Sequence, residues 1–176
     1  MNRRPFLNAG SVLGGALIGA TLLQACGFKL RGTQTFAFET IAVEASPAGA
    51  VTAELRKALG SQLFVASTGG VAGAAAPVAQ VTMDILQELR ERAVAGVNAA
   101  GQVRELQLRI RVKFRLRNAR GKDLIEETEI LQQRDISFSE SAVLAKEVEE
   151  ALLYKNMQAD IVQQLLRRLA AVKSIV

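Results

Sequence analysis

The sequence predicts an α+β fold in which a mainly antiparallel four-stranded sheet carries two helices on one face, in the order strand, helix, strand, strand, strand, helix. Three observations predict it. Within the segment from Arg104 to Arg117, apolar and polar residues alternate without a break from Leu106 onward. Two stretches, one from Val51 and one beyond Ser137, repeat their apolar residues every three or four positions. Asparagine and glycine punctuate the segments between the later strands. A chain of 176 residues fits a single core.

The N-terminus is read as separate from that core. Arg3 and Arg4 precede an apolar stretch from Val12 to Leu23, and Leu23-Gln24-Ala25-Cys26 closes it, which is the three-part form of an export signal. The apolar run is too short to span a bilayer, which takes about 20 residues. Leu23, the small Ala25 and Cys26 resemble a bacterial lipobox, although Gln24 departs from the usual small or β-branched residue. Three readings stand: lipidation of Cys26 after cleavage, an ordinary secretory cut near the same point, or an uncleaved anchor. Cys26 is also the single cysteine. It has no intramolecular disulfide partner, and acylation removes the liability of a free thiol in an oxidising compartment. On the first reading residues 1–25 are a signal peptide and residues 26–176 are one mature domain. With two or more acyl chains the anchoring is effectively permanent. Bacterial lipoproteins retained at the inner membrane commonly carry Asp after the cysteine, and Gly27 stands there instead, so that resemblance implies the outer membrane.

Phe36 to Glu44 mixes aromatic and β-branched residues in near alternation and is predicted as the first strand, ended by Ser46-Pro47. Val51, Leu55, Ala58, Leu59 and Leu63 then define an amphipathic helix from Val51 to Phe64. Residues 66–77, rich in glycine and alanine, read as a mobile loop. Val81, Met83 and Ile85 open a second strand that runs to about Arg92 and projects from the core at its far end. Residues 98–102 supply a turn. The alternating segment from Arg104 to Arg117 is a third strand with one buried face, and residues 118–123 turn into a fourth from about Leu124 to Ile136. Ser137-Phe138-Ser139-Glu140 has capping-box spacing ahead of a long segment without proline or glycine. This final helix places Leu144, Val148, Leu152, Ile161, Leu165, Leu169 and Val172 on a stripe expected to cover the sheet.

Composition excludes much chemistry. The chain has no histidine, so serine-histidine and cysteine-histidine nucleophile pairs and histidine metal sites are out of reach. Glu126, Glu127 and Glu129 cluster, but on a polar sheet face they read as partners for the neighbouring strand's cations rather than as acid-base catalysts. The calculated pI of 9.8 points to an anionic partner. Arg109, Arg111, Lys113, Arg115 and Arg117 share one face of the third strand. That row admits three readings: a solvated, acid-paired face, a docking surface for a protein, or direct contact with an anionic ligand. Nucleic acid is disfavoured, since the row lacks interleaved aromatic residues and export removes the chain from the cytoplasm.

Two segments carry a family resemblance. Leu23-Gln24-Ala25-Cys26-Gly27-Phe28-Lys29-Leu30-Arg31-Gly32 resembles the start of the LptE lipopolysaccharide-assembly lipoproteins. Arg134, Phe138, Ala142-Val143-Leu144-Ala145-Lys146 and the acidic Glu147-Val148-Glu149-Glu150 look like that family's entry to its last helix. The resemblance implies a non-enzymatic outer-membrane lipoprotein that sits in the lumen of an LptD-type β-barrel, helps it assemble, and assists lipopolysaccharide to the outer leaflet. It implies no cofactor beyond the covalent lipid on Cys26. It also implies a lipopolysaccharide contact at Lys146. A second basic position of the family falls on Ala99 here, so Arg92 or Arg104 is the candidate source of charge nearby. Arg109, Arg111, Lys113, Arg115 and Arg117 become candidate contacts to the barrel lumen, which is polar in large outer-membrane barrels. The other readings of the same pattern are a barrel-assembly accessory or a cell-wall-binding lipoprotein. A periplasmic hydrolase is disfavoured by the missing histidine.

Overall fold

A computed structural model describes residues 34–45, 49–60, 64–66 and 79–175. Cys26, the leader, the Ser46-Pro47 break, Leu63 and residues 67–77 of the glycine-alanine loop lie outside the described residues. The elements run β1 (Thr40–Ala45), α1 (Ala50–Gly60), β2 (Phe64–Ala66), β3 (Val81–Val97), β4 (Val103–Asn118), β5 (Asp123–Ser137), a 3-10 turn (Glu140–Ala142) and α2 (Val143–Ala170). The α+β class and its two helices follow the sequence reading.

The sheet differs from the expectation in two details. It has five strands in the order β2-β1-β3-β4-β5, and it is mixed. β3, β4 and β5 form the expected antiparallel meander. β1 runs parallel to both β2 and β3. The reason is the helix: α1 carries the chain back to the end from which β1 started, so the next strand re-enters in the same direction. The helix expected to reach Phe64 stops at Gly60, and Phe64-Val65-Ala66, two of them good strand formers, pair with β1 instead.

β4 organises the core. From Leu106 to Asn118 every even-numbered residue is buried and every odd-numbered one is half-exposed. Leu108, Ile110, Val112, Phe114 and Leu116 face inward beside Val81 and Met83 of β3 and Ile41 and Val43 of β1. Val51, Leu55 and Leu59 of α1 join the same cluster, with Ile161, Leu165 and Leu169 of α2. Each such side chain contributes about 1.5–3 kcal/mol by leaving water.

Both hairpins of the meander use one turn chemistry. The Asn98 Oδ1 accepts the amides of Ala100 and Gln102 at 3.0 and 2.9 Å, and Gly101 takes φ 78°. The Asn118 Oδ1 accepts the amides of Arg120 and Lys122 at 3.0 Å each, and Gly121 takes φ 83°. Positive φ is cheap only for glycine, so each turn closes without strain.

Helix starts depart from the sequence expectation. No capping box forms at Ser137: that residue ends β5, and neither the 3-10 turn nor α2 has a side-chain cap. The Ser137 hydroxyl instead accepts a hydrogen bond from Lys146 Nζ at 3.0 Å. The capping ahead of α1 comes from another strand. Glu88 of β3 accepts the amides of Val51 at 2.8 Å and Thr52 at 3.1 Å, and the Thr52 hydroxyl at 2.8 Å. A carboxylate there satisfies orphan donors and meets the positive end of the helix dipole. Gly49 makes room, because a Cβ at that position would collide with the Glu88 carboxylate.

The stripe assigned to α2 is only half correct. Its second half packs as expected, but Leu144, Val148 and Leu152 are exposed. Periodicity marks the apolar side of a helix without showing how far its neighbours extend, and α1 has 11 residues against the 28 of α2. β3 does project as read, with Val94 and Val97 exposed towards its end, although it continues five residues past Arg92 to Val97.

Removing the Glu88 cap should loosen α1. Glu88→Ala is expected to cost about 1–2 kcal/mol in urea unfolding, the scale of a lost N-cap. Gly49→Ala should lower stability through the same contact, by pushing the carboxylate off the helix.

Candidate functional site

Two regions carry the sequence-predicted residues. The first lies where β5 hands over to α2. The Phe138 amide donates to the Arg104 carbonyl at 2.8 Å, which holds the crossing strand end beside β4. The 3-10 turn then brings the first turns of α2 back over the outer reach of β3. The result is a cavity of about 260 Å³ lined by Arg92, Leu106, Ile136, Ser137, Phe138, Val143, Lys146, Glu147 and Glu150.

Its floor is apolar and its rim is charged. Leu106 and Ile136 are buried. The Arg92 guanidinium carbon stands 5.9 Å from the Phe138 ring centroid, and Arg92 Nε lies 3.4 Å from Glu150 Oε2. Lys146 Nζ donates to Ser137 Oγ at 3.0 Å and to Glu149 Oε2 at 2.8 Å. Two cations 54 residues apart in sequence therefore share one small pocket, each beside a carboxylate. Chemically, arginine can offer an anion bidentate hydrogen bonds and lysine a mobile point charge. Arg104 does not join them. Its side chain donates to Gln102 Oε1 at 3.1 Å, at the foot of the hairpin whose exposed tip holds Ala99.

The second region is the face of the sheet away from the helices. Arg109, Arg111, Lys113, Arg115 and Arg117 lie along it as the alternation requires, and four of the five meet an acid. Arg111 is 3.7 Å from Glu129, and Lys113 is 4.0 Å from Glu127. These are exposed pairs, each worth at most about 1 kcal/mol. Arg109 Nε donates instead to Gln107 Oε1 at 2.6 Å. Of the clustered glutamates, Glu127 and Glu129 thus act as cross-strand partners of Lys113 and Arg111.

Asp84 is the residue that sequence reasoning missed. It is 7% exposed, and its carboxylate takes Arg115 Nε at 2.7 Å and Arg117 Nε at 2.8 Å, with Arg117 Nη2 on the second oxygen at 3.0 Å. The available signal was register: once β3 and β4 pair, Asp84 falls opposite Arg115. Burial pushes its pKa up, but the hydrogen bonds and charges of Arg117 and Arg115 outweigh that and hold it below the ordinary aspartate value. The Arg117 guanidinium is correspondingly held more firmly protonated, by the hydrogen bond and the charge of Asp84.

Among the described residues no group of three or more His, Cys, Asp or Glu side chains is placed to hold a metal ion. No helix among them is long and apolar enough to cross a membrane.

The depressed pKa of Asp84 has a consequence for stability. Its contribution is full above the unfolded value of about 3.9 and is lost as pH falls through the lower folded value. Asp84→Asn is expected to cost about 2 kcal/mol at pH 7, as a buried carboxylate between two cations is removed. In urea melts across pH, the gap between variant and wild type should narrow below about pH 4.

The fold has counterparts among solved structures. The family model for LptE, lipopolysaccharide-assembly, matches residues 38–169. A lipoprotein B of Nitrosomonas europaea, solved by NMR in solution, is 32% identical, with a TM-score of 0.66 over 82% of this chain and 91% of its own. The rare lipoprotein B of Shewanella oneidensis is 22% identical, with a TM-score of 0.59 over 75% of this chain and 94% of its own. A minor lipoprotein of Acinetobacter baumannii shares the fold at 16% identity and a TM-score of 0.57, over 78% of this chain and 94% of its own. Among curated proteins none matches significantly. With the family model spanning most of the folded unit, and the Nitrosomonas lipoprotein aligned over nearly its whole length, the chain belongs to the LptE lipopolysaccharide-assembly family.

Proposed function

We propose that this protein is a non-enzymatic subunit of the outer-membrane machinery that delivers lipopolysaccharide to the outer leaflet. Cleavage before Cys26 and acylation of that cysteine anchor it on the periplasmic side, leaving residues 26–176 as the working domain. Its cationic sheet face docks in the lumen of an LptD-type barrel. The pocket of Arg92 and Lys146 holds phosphates of the lipopolysaccharide.

One observation carries the ligand reading: Arg92 and Lys146, far apart in sequence, line the same small cavity over the apolar Leu106, Ile136 and Phe138. A phosphorylated lipid offers what that combination recognises, anionic oxygens beside hydrocarbon. Arg104, directed to the hairpin, has no part in it. The docking reading rests on the row from Arg109 to Arg117. Its pairs with Glu127 and Glu129 are weak enough to exchange for acidic lumen side chains.

Two experiments test these roles separately. Arg92→Ala with Lys146→Ala should weaken binding of purified lipopolysaccharide about tenfold or more, since each removes a charge-assisted contact. Unchanged affinity would reject the pocket. For docking, Arg111→Glu with Lys113→Glu should reduce copurification with the barrel while the melting temperature holds. Those two positions are chosen because Arg115 and Arg117 clamp the buried Asp84, and reversing either would unsettle the fold. Undiminished copurification would reject the docking face.

A further inference from the structure

Leu144 and Val162 stand eighteen residues apart on α2, which is about five helical turns, and so point the same way. Val148 and Leu166 repeat that relation. Val162 and Leu166 are 2% and 3% exposed, whereas Leu144 and Val148 are 80% and 73% exposed. One continuous helical face is thus covered over its second half and bare over its first.

The bare half leads into a groove. Leu144, Val148, Ala151 and Lys155 follow at spacings of four, three and four, the stripe of an amphipathic helix surface. Ala151 and Lys155 also line a shallow groove of about 1000 Å³ between α2 and α1. Three cations border it: Lys57, Arg90 and Lys155, against the single carboxylate of Glu54. Arg90 is held in place, its guanidinium carbon 3.6 Å from the ring centroid of the buried Tyr154, whose hydroxyl donates to the Glu91 carbonyl at 2.6 Å. The contrast with the sheet face is informative. There four of the five cations have an acid. Among the described residues, none of Lys57, Arg90 and Lys155 has a carboxylate within ion-pair distance.

We infer that this stripe and groove dock an acidic amphipathic helix of another protein, about three turns long. The helical spacing supplies anchors for a partner helix lying alongside α2, as helix-in-groove recognition requires. The unpaired cations demand acidic flanks. Lipid sites enclose most of their ligand, and this groove is open along its length, so a helix that buries one face suits it better than an acyl chain. A second copy would bring Lys57, Arg90 and Lys155 against their own counterparts and be repelled.

The test uses a fluorescein-labelled peptide with leucines at four-three-four spacing and glutamates elsewhere, and an isomer with the same leucines scattered, each titrated onto the purified folded protein by anisotropy. Saturable binding of the first is expected, about tenfold or more weaker for the scattered isomer, for Val148→Glu and for Lys155→Glu. Both substitutions fall on exposed positions, so melting curves should match wild type. No binding, or binding indifferent to the isomer and to both substitutions, would overturn the inference. So would phosphatidylglycerol vesicles, or self-association seen by sedimentation, that depend on Val148 when the peptide does not.

Discussion

The alternation along β4 is the constraint on which the rest depends. A strand that places Leu108, Ile110, Val112, Phe114 and Leu116 on one side and five cations on the other cannot be buried on both faces. Its position between β3 and β5 extends that asymmetry across the sheet. Both helices must then lie on the apolar side, and the opposite side must meet water or a polar partner. A register slip of one residue would exchange the two faces at once, so the turns from Asn98 to Gly101 and from Asn118 to Gly121, which set the register, protect the whole arrangement.

Charge is handled differently in different places, and the differences sort structure from function. Asp84 is buried within the sheet and is locked between the half-exposed Arg115 and Arg117. Further along the same face, Arg111 and Lys113 meet their glutamates at longer distance, and those carboxylates are far more exposed than that of Asp84, which makes the contacts exchangeable. In the pocket at the start of α2, Lys146 and Arg92 lean on Glu149 and Glu150 over an apolar floor. The gradient runs from cations committed to the fold, through cations that can trade partners, to those of the α1-α2 groove, which have none among the described residues.

α2 links these surfaces. Its second half completes the core, and its first half extends over the outer reach of β3, carrying Lys146 on one side and Leu144 and Val148 on another. Rigid helical continuity means that packing at Ile161, Leu165 and Leu169 positions side chains several turns away. A long helix with only part of its length packed holds its exposed side chains on a stable base.

The sequence by itself determined the α+β class, the three-stranded meander, the buried face of β4 and the turn positions. Strand alternation, helical spacing and turn chemistry are local, and the backbone reads them without help from distant residues. It also carried the family, whose model matches residues 38–169 and so includes the entry to α2. Tertiary structure alone decided that β1 runs parallel to its neighbours, that Phe64 pairs in a strand, that Glu88 caps a helix 37 residues away, and that Arg92 meets the Lys146 pocket while Arg104 does not. Each of these depends on which segments lie side by side. The exposed half of α2 shows the same division: its spacing marks an apolar face, and only the length of α1 beside it settles where that face stays open.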